Sequence, residues 1–229
     1  NVDKLSDENR KNASHLLDAF GEEIVAKLFS KTWQTREDAL NQIEDLTVNS
    51  NQMSQEEAFV NAVGASYFTI SDKMAGVGQK SMYLLGGACN AYPHVTLAGG
   101  QRSQFNVYLD KIIATLTEKV GDNLQKVRSS AEEAFLAVAG HPQFGVKLCV
   151  AALSNDNAAP SKVKGRKPVL SSKALIAKYQ ILYKMLVNFS FDRDLQITTV
   201  KYAVKGMNNT SNDVRLPAYD CMGELYRIM

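Results

Sequence analysis

Reactive side chains are few in this sequence, and they stand apart. His15, His94 and His141 fall in separate regions, and none has a Cys, Asp or Glu at a helical metal-ligand spacing that repeats elsewhere. Zinc chemistry needs converging ligands, usually in short motifs such as HExxH or CxxC, and neither motif occurs. Cys89, Cys149 and Cys221 are odd in number, widely spaced and embedded in apolar helical patterns. They read as reduced core thiols rather than a disulfide framework. Gly76-Val77-Gly78-Gln79-Lys80-Ser81 has the lysine and hydroxyl of a phosphate-binding loop. However, Gln79 stands where a glycine must precede the lysine, the leading glycine is missing, and no strand comes before it. His141, ahead of Pro142, reads as a helix-end residue rather than a base. Carboxylates such as Glu22, Glu23, Glu132 and Glu133 fall on solvated faces with no inward-facing pair. Neither catalysis nor a cofactor is expected, and no metal site.

The chemistry that remains is recognition. Trp33 is the single tryptophan in 229 residues. It lies in the polar run Ser30-Lys31-Thr32-Trp33-Gln34-Thr35-Arg36, between two amphipathic stretches. Tryptophan carries a large apolar area that is costly to leave in water. In a polar turn it is either a plug for the local core or an anchor for a partner, and the residue types alone leave both readings open.

The elements around it are helical. Apolar residues recur at three and four, as in Ile24, Val25, Leu28, Phe29; Leu40, Ile43, Leu46; Ile112, Ile113, Leu116, Val120; and Tyr179, Leu182, Met185, Leu186. Alternating patterns are nearly absent; Val95-Thr-Leu97 is too short to count as a strand. The fold class is therefore all-α. Arg36, Arg128 and Arg215 each follow a polar turn, each with alanine three residues on (Ala39, Ala131, Ala218), and Val127 and Val214 precede the latter two. Lys80 and Lys173 fall at the missing steps, giving intervals of 44, 48, 45 and 42 residues. A drifting period in the forties with two helices per unit predicts an α-solenoid of HEAT or armadillo type. Five helix pairs fit, at about 20–48, 54–92, 104–139, 142–189 and 192–228, with a leading helix over Ser6–Ala19 capping the first apolar face. Residues 1–19 are thus expected to form a cap and 20–229 one repeat domain. Asp122 or Asn123 is the expected cap of the helix over 124–139, and Asn212 or Asp213 that of the last helix, with Pro217 in or just after its first turn. Gly140 and Pro142 close the third pair. Asn155–Pro168, with Lys162, Lys164, Arg166 and Lys167, reads as an exposed loop inside the fourth.

Composition narrows the partner. The net charge of +2 is too small to argue for nucleic acid, and the aromatics sit mostly at apolar helical positions rather than interleaved with cations. No apolar run approaches the roughly 18 residues of a membrane span. Three Asn-x-Ser/Thr matches, at Asn12, Asn188 and Asn208, read as chance. The start at Asn1, without a signal-like segment, reads as an excerpt of a longer protein.

The segments Phe20-Gly-Glu, Ser30-Lys-Thr-Trp33 and Arg36-Glu-Asp-Ala-Leu40, with Asp122…Val127-Arg128…Ala131 and Asn212-Asp-Val-Arg215…Ala218, resemble the TOG domain, a tubulin-binding module of five to six HEAT units arranged as a flat paddle. Within it, they are most similar to the TOG domains of ciliary-tip centrosomal proteins. The resemblance covers Phe20–Met229. It implies a non-catalytic role in microtubule or ciliary-tip growth, a cytoplasmic and cytoskeletal location at cilium tip or centriole, and αβ-tubulin as partner. It also implies contacts along the row of intra-repeat turns on one narrow edge. By position these are Lys31, Thr32, Trp33 and Gln34 in the first unit; Val77, Gln79 and Lys80 in the second; Gln125 and Lys126 in the third; Lys173 in the fourth; and Asn212 and Arg215 in the last. A general HEAT scaffold for another protein or peptide is the alternative, with Trp33 as a core plug.

Overall fold

A computed structural model describes residues 4–50, 52–155 and 170–229. The basic segment expected as a loop lies almost entirely outside these residues. All regular structure among them is helical: α1 (Asp7–Asn12), α2 (Ser14–Leu28), α3 (Trp33–Thr47), α4 (Gln55–Thr69), α5 (Ala75–Ala91), α6 (Gly99–Lys119), α7 (Gln125–Gly140), α8 (Gly145–Ser154), α9 (Ser172–Asn188), α10 (Arg193–Met207) and α11 (Asn212–Ile228). From α2 onward these form five consecutive helix pairs, α2/α3 through α10/α11, as the repeat period predicts. The chain folds as an all-α solenoid of HEAT type.

Local sequence sets the helix starts. Ser54 and Glu57 form a reciprocal capping box at α4: Ser54 Oγ accepts the Glu57 N–H (3.3 Å) and Glu57 accepts the Ser54 N–H (3.2 Å). Ser171 and Asp192 accept the N–H groups of Ala174 (3.2 Å) and Leu195 (2.8 Å), capping α9 and α10. α7 ends at Gly140, ahead of Pro142. The leading helix differs from expectation. It is broken at Ala13, and its second part runs on into the first repeat as α2, with Gly21 alone non-helical at φ 74°, ψ 169°. Glycine reaches that region without a Cβ clash, so one helical run ends and another opens across a kink at Gly21, close to the boundary expected after Ala19.

Contacts gather into two compact units, Asn1–Thr115 with His141–Gln143 and Leu116–Gly140 with Phe144–Met229. In the first unit Leu16, Leu40, Ile43, Phe59, Ile70, Leu84 and Leu85 are fully buried. The His141 ring stacks on Phe59 at 4.4 Å between centroids. Burying each such side chain contributes about 1.5–3 kcal/mol. In the second unit Tyr179 stacks on Tyr202 at 4.7 Å and donates its hydroxyl to the Tyr202 carbonyl (3.0 Å). Gly206 admits this ring: a Cβ there would stand 2.4 Å from the Tyr179 ring and 2.7 Å from Ala218 Cβ. The repeated alanines Ala39, Ala131 and Ala218, and Val127 and Val214 beside the arginines, are all buried, as their pattern predicts.

Candidate functional site

Each repeat turns between its two helices, and four of these turns lie wholly within the described residues: 30–33, 72–75, 122–125 and 209–212. They share one local device. A side-chain oxygen accepts the N–H two residues on: Ser30 Oγ from Thr32 (3.2 Å), Asp72 Oδ1 from Met74 (2.8 Å), Asp122 Oδ1 from Leu124 (2.9 Å) and Asn209 Oδ1 from Ser211 (2.9 Å). Such Asx- and Ser-type turns stop the first helix and aim the second. The N-cap position of α11 is Ser211, without a side-chain cap bond, and Asn212 and Asp213, the expected caps, lie inside the helix; Asn209 fixes the turn that leads into it.

The repeated arginine closes three of these turns. The NH1 group of Arg36 donates to the carbonyls of Ser30 (2.8 Å) and Lys31 (3.2 Å). Arg128 does the same to Asp122 (2.8 Å) and Asn123 (2.9 Å), and Arg215 to Asn209 (2.9 Å) and Thr210 (3.1 Å). The guanidinium thus satisfies carbonyls that would otherwise point out of the turn unpaired. Arg215, expected as a contact residue, has its NH1 committed to its own turn and its NH2 to Asn212 Oδ1 (3.2 Å).

The second turn corrects the register. Aligned on Asp72, the place of the arginine falls on Gly78, and Lys80 comes two residues late. Val77 accordingly takes the buried valine position and is fully enclosed, so it presents no surface to a partner. Lys80 forms an ion pair with Glu44 on α3. Gln79 is half-buried on α5. In the fourth repeat Leu175 takes the arginine's place. Lys173 falls at the step of Gln34 and Lys126 and donates to Asn123 Oδ1 (3.0 Å). Lys31, Thr32, Gln34, Gln125, Lys126, Lys173 and Asn212 are all exposed, as a contact role requires. Gln125 also accepts from Arg128.

Trp33 is the first residue of α3, with 38% of its surface in water. A core plug would be enclosed, so the exposure favours the anchor reading. Among the described residues no group of three or more His, Cys, Asp or Glu is placed to hold a metal. His15 is pushed down to about 4 by burial, against a smaller opposing effect of Asp18. His141 is lowered by burial, although its Nε2–H donates to the Tyr92 carbonyl (3.0 Å), and its Nδ1 accepts the Gln143 N–H (3.2 Å). Burial pushes the Cys149 and Cys221 thiols up to about 12, so neither is a ready thiolate. No helix among the described residues is long and apolar enough to cross a membrane.

The family model for the TOG domain of centrosomal protein CEP104 matches residues 10–219. The chain belongs to the CEP104 TOG-domain family. No curated protein matches the sequence. Among solved structures, the TOG domain of human Cep104 superimposes with a TM-score of 0.70 at 20% identity, covering 99% of this chain and 85% of that one. A structure titled for TOG–tubulin binding specificity, microtubule dynamics and mitotic spindle formation gives 0.68 at 14% identity, covering 98% and 79%. A TOG domain of crescerin, described as regulating microtubules in the primary cilium, gives 0.61 at 15% identity, covering 93% and 79%. At these identities the structural likeness concerns the fold.

In this TOG domain two turn residues escape a reading by charge and motif. Met74 and Leu124 occupy the step of Thr32, one before the helix, and are 42% and 56% exposed. The signal for them was the acceptor two residues earlier, Asp72 and Asp122, which fixes where each turn ends. Counting from arginines or lysines misses it in the second repeat, where a glycine stands in the arginine's place.

Proposed function

We propose that this TOG domain is a non-catalytic module that binds αβ-tubulin through its intra-repeat turns and serves the regulation of microtubule or ciliary-tip growth, in the cytoskeleton at cilium tip or centriole. The observation that carries the reading is the exposed Trp33 at the head of α3, on a turn stapled by Arg36. An exposed tryptophan on a rigid turn is the type of residue that dominates interfaces. Met74 extends the apolar contact in the first unit. Lys126 and Lys173 in the second unit supply positive charge for an acidic partner, raising the association rate and making binding salt-sensitive. Structural neighbours described in terms of TOG–tubulin binding and of microtubule regulation support the choice of partner.

The test is direct. The domain is mixed with soluble αβ-tubulin and followed by size exclusion or analytical ultracentrifugation, alongside Trp33→Glu. The wild type is expected to co-migrate with tubulin, and the variant to stay folded and migrate alone. Absence of a wild-type complex overturns the reading in favour of a scaffold for another protein. A variant that unfolds returns Trp33 to the core-plug role.

A further inference from the structure

We propose that Asp72 is a positioning residue for the Trp33 anchor, acting through Arg36; the inference rests on the tubulin reading above. In the third and fifth turns the NH2 group of the stapling arginine has an acceptor on its own turn. For Arg128 it is Gln125 Oε1, and for Arg215 it is Asn212 Oδ1 at 3.2 Å. Both acceptors stand at the first helical position, the step that Trp33 fills in the first turn. Tryptophan has no acceptor to offer. Arg36 instead turns its Nε and NH2 onto Asp72 of the next repeat, at 2.7 and 2.8 Å, while NH1 keeps the Ser30 and Lys31 carbonyls.

This arrangement is enclosed: the Arg36 and Asp72 side chains are 15% and 11% exposed. Asp72 also accepts the Met74 N–H (2.8 Å). One carboxylate therefore holds the arginine that closes the Trp33 turn and the start of the turn that carries Met74. Without it, Arg36 would keep two donors unmet in a shielded place, where that is costly. The guanidinium would swing toward water and give up the carbonyls that fix the Trp33 turn. A polar residue at position 33 would solve the problem locally, as Gln125 and Asn212 do, but would remove the anchor. Asp72 is what allows a tryptophan at this step.

The experiment is a double-mutant cycle with Trp33 as its own reporter, since it is the single tryptophan. Asp72→Asn keeps an acceptor for the Met74 N–H, as Asn209 does for Ser211, and loses the charged fork. In the free domain, Trp33 fluorescence anisotropy is expected to fall in Asp72→Asn and in Arg36→Lys, and to hold in the control Arg128→Lys. Affinity for soluble αβ-tubulin is expected to drop about tenfold in Asp72→Asn, and Trp33→Ala to cost less affinity in that background than in wild type. In a Trp33→Gln background, which restores a local acceptor, the urea midpoint is expected to become insensitive to Asp72→Asn. Unchanged anisotropy in both Asp72→Asn and Arg36→Lys, or additive effects on tubulin affinity, overturns the proposal. A wild type that does not bind tubulin sinks the tubulin reading instead, and the anisotropy and urea measurements still decide whether Asp72 positions Trp33.

Discussion

The turns of the first unit and those of the second are built alike and finished differently. Every turn described in full opens with a Ser, Asp or Asn oxygen on the N–H two residues on, and three are closed by an arginine on two carbonyls. In the first unit each tip carries an exposed apolar side chain beside a lysine: Trp33 with Lys31 on the stapled turn, Met74 with Lys73 on the next. In the second they are largely polar, with Gln125 and Asn212 engaged by their arginines, Lys126 and Lys173 exposed, and Leu124 as the apolar exception. The same scaffold thus presents the exposed tryptophan in one unit and mostly polar helix starts in the other. Apolar anchors set how long a complex lasts, and rim charges set how fast and with whom it forms.

The comparison breaks most visibly at Trp33. Trp33→Glu is expected to cost about 2–4 kcal/mol of tubulin affinity with the fold intact, read by sedimentation and circular dichroism. Val77→Ala sharpens the distinction between tip and core. It should lower folding stability by about 2 kcal/mol through lost methyl groups and a residual cavity, as read by urea melts, and leave the tubulin dissociation rate unchanged. Met74→Ala should cost about 1 kcal/mol of affinity, chiefly as faster dissociation in surface-binding kinetics. Lys126→Ala and Lys173→Ala should each cost under about 1 kcal/mol, appear mainly in the association rate, and fade as salt is raised.

The gentlest test concerns acid. Burial holds His15 at about 4 in the folded first unit, against an ordinary 6.5. Between those values the unfolded chain takes up a proton that the folded chain refuses. Stability is therefore lost as pH falls from 6.5 to about 4 and levels off below. Urea midpoints across that range should slope in wild type and flatten in His15→Gln.

Much of this was legible in the sequence. The five helix pairs follow from apolar spacing, and the buried Ala and Val beside each arginine follow from their recurrence forty-odd residues apart. What was not legible is instructive at particular residues. Gly78 leaves no side-chain mark where the second arginine would stand, so counting cations puts Lys80 at the repeat position and Val77 on the surface. Lys80 read as a contact cation because its partner, Glu44, lies 36 residues away on another helix. The break at Ala13 leaves no glycine or proline in the sequence, whereas the one at Gly21 falls close to the expected end of the leading helix at Ala19. Above all, residue types do not say how an arginine divides its donors, and that division separates Trp33 from Gln125 and Asn212.

The seat of Tyr179 against Gly206 has a mechanical consequence. Were α10 to slide by about one turn along α9, the side chain of Tyr202 or Ala203 would arrive where even a Cβ would crowd the tyrosine ring. The ring thus acts as a stop that opposes axial slip of α10 against α9.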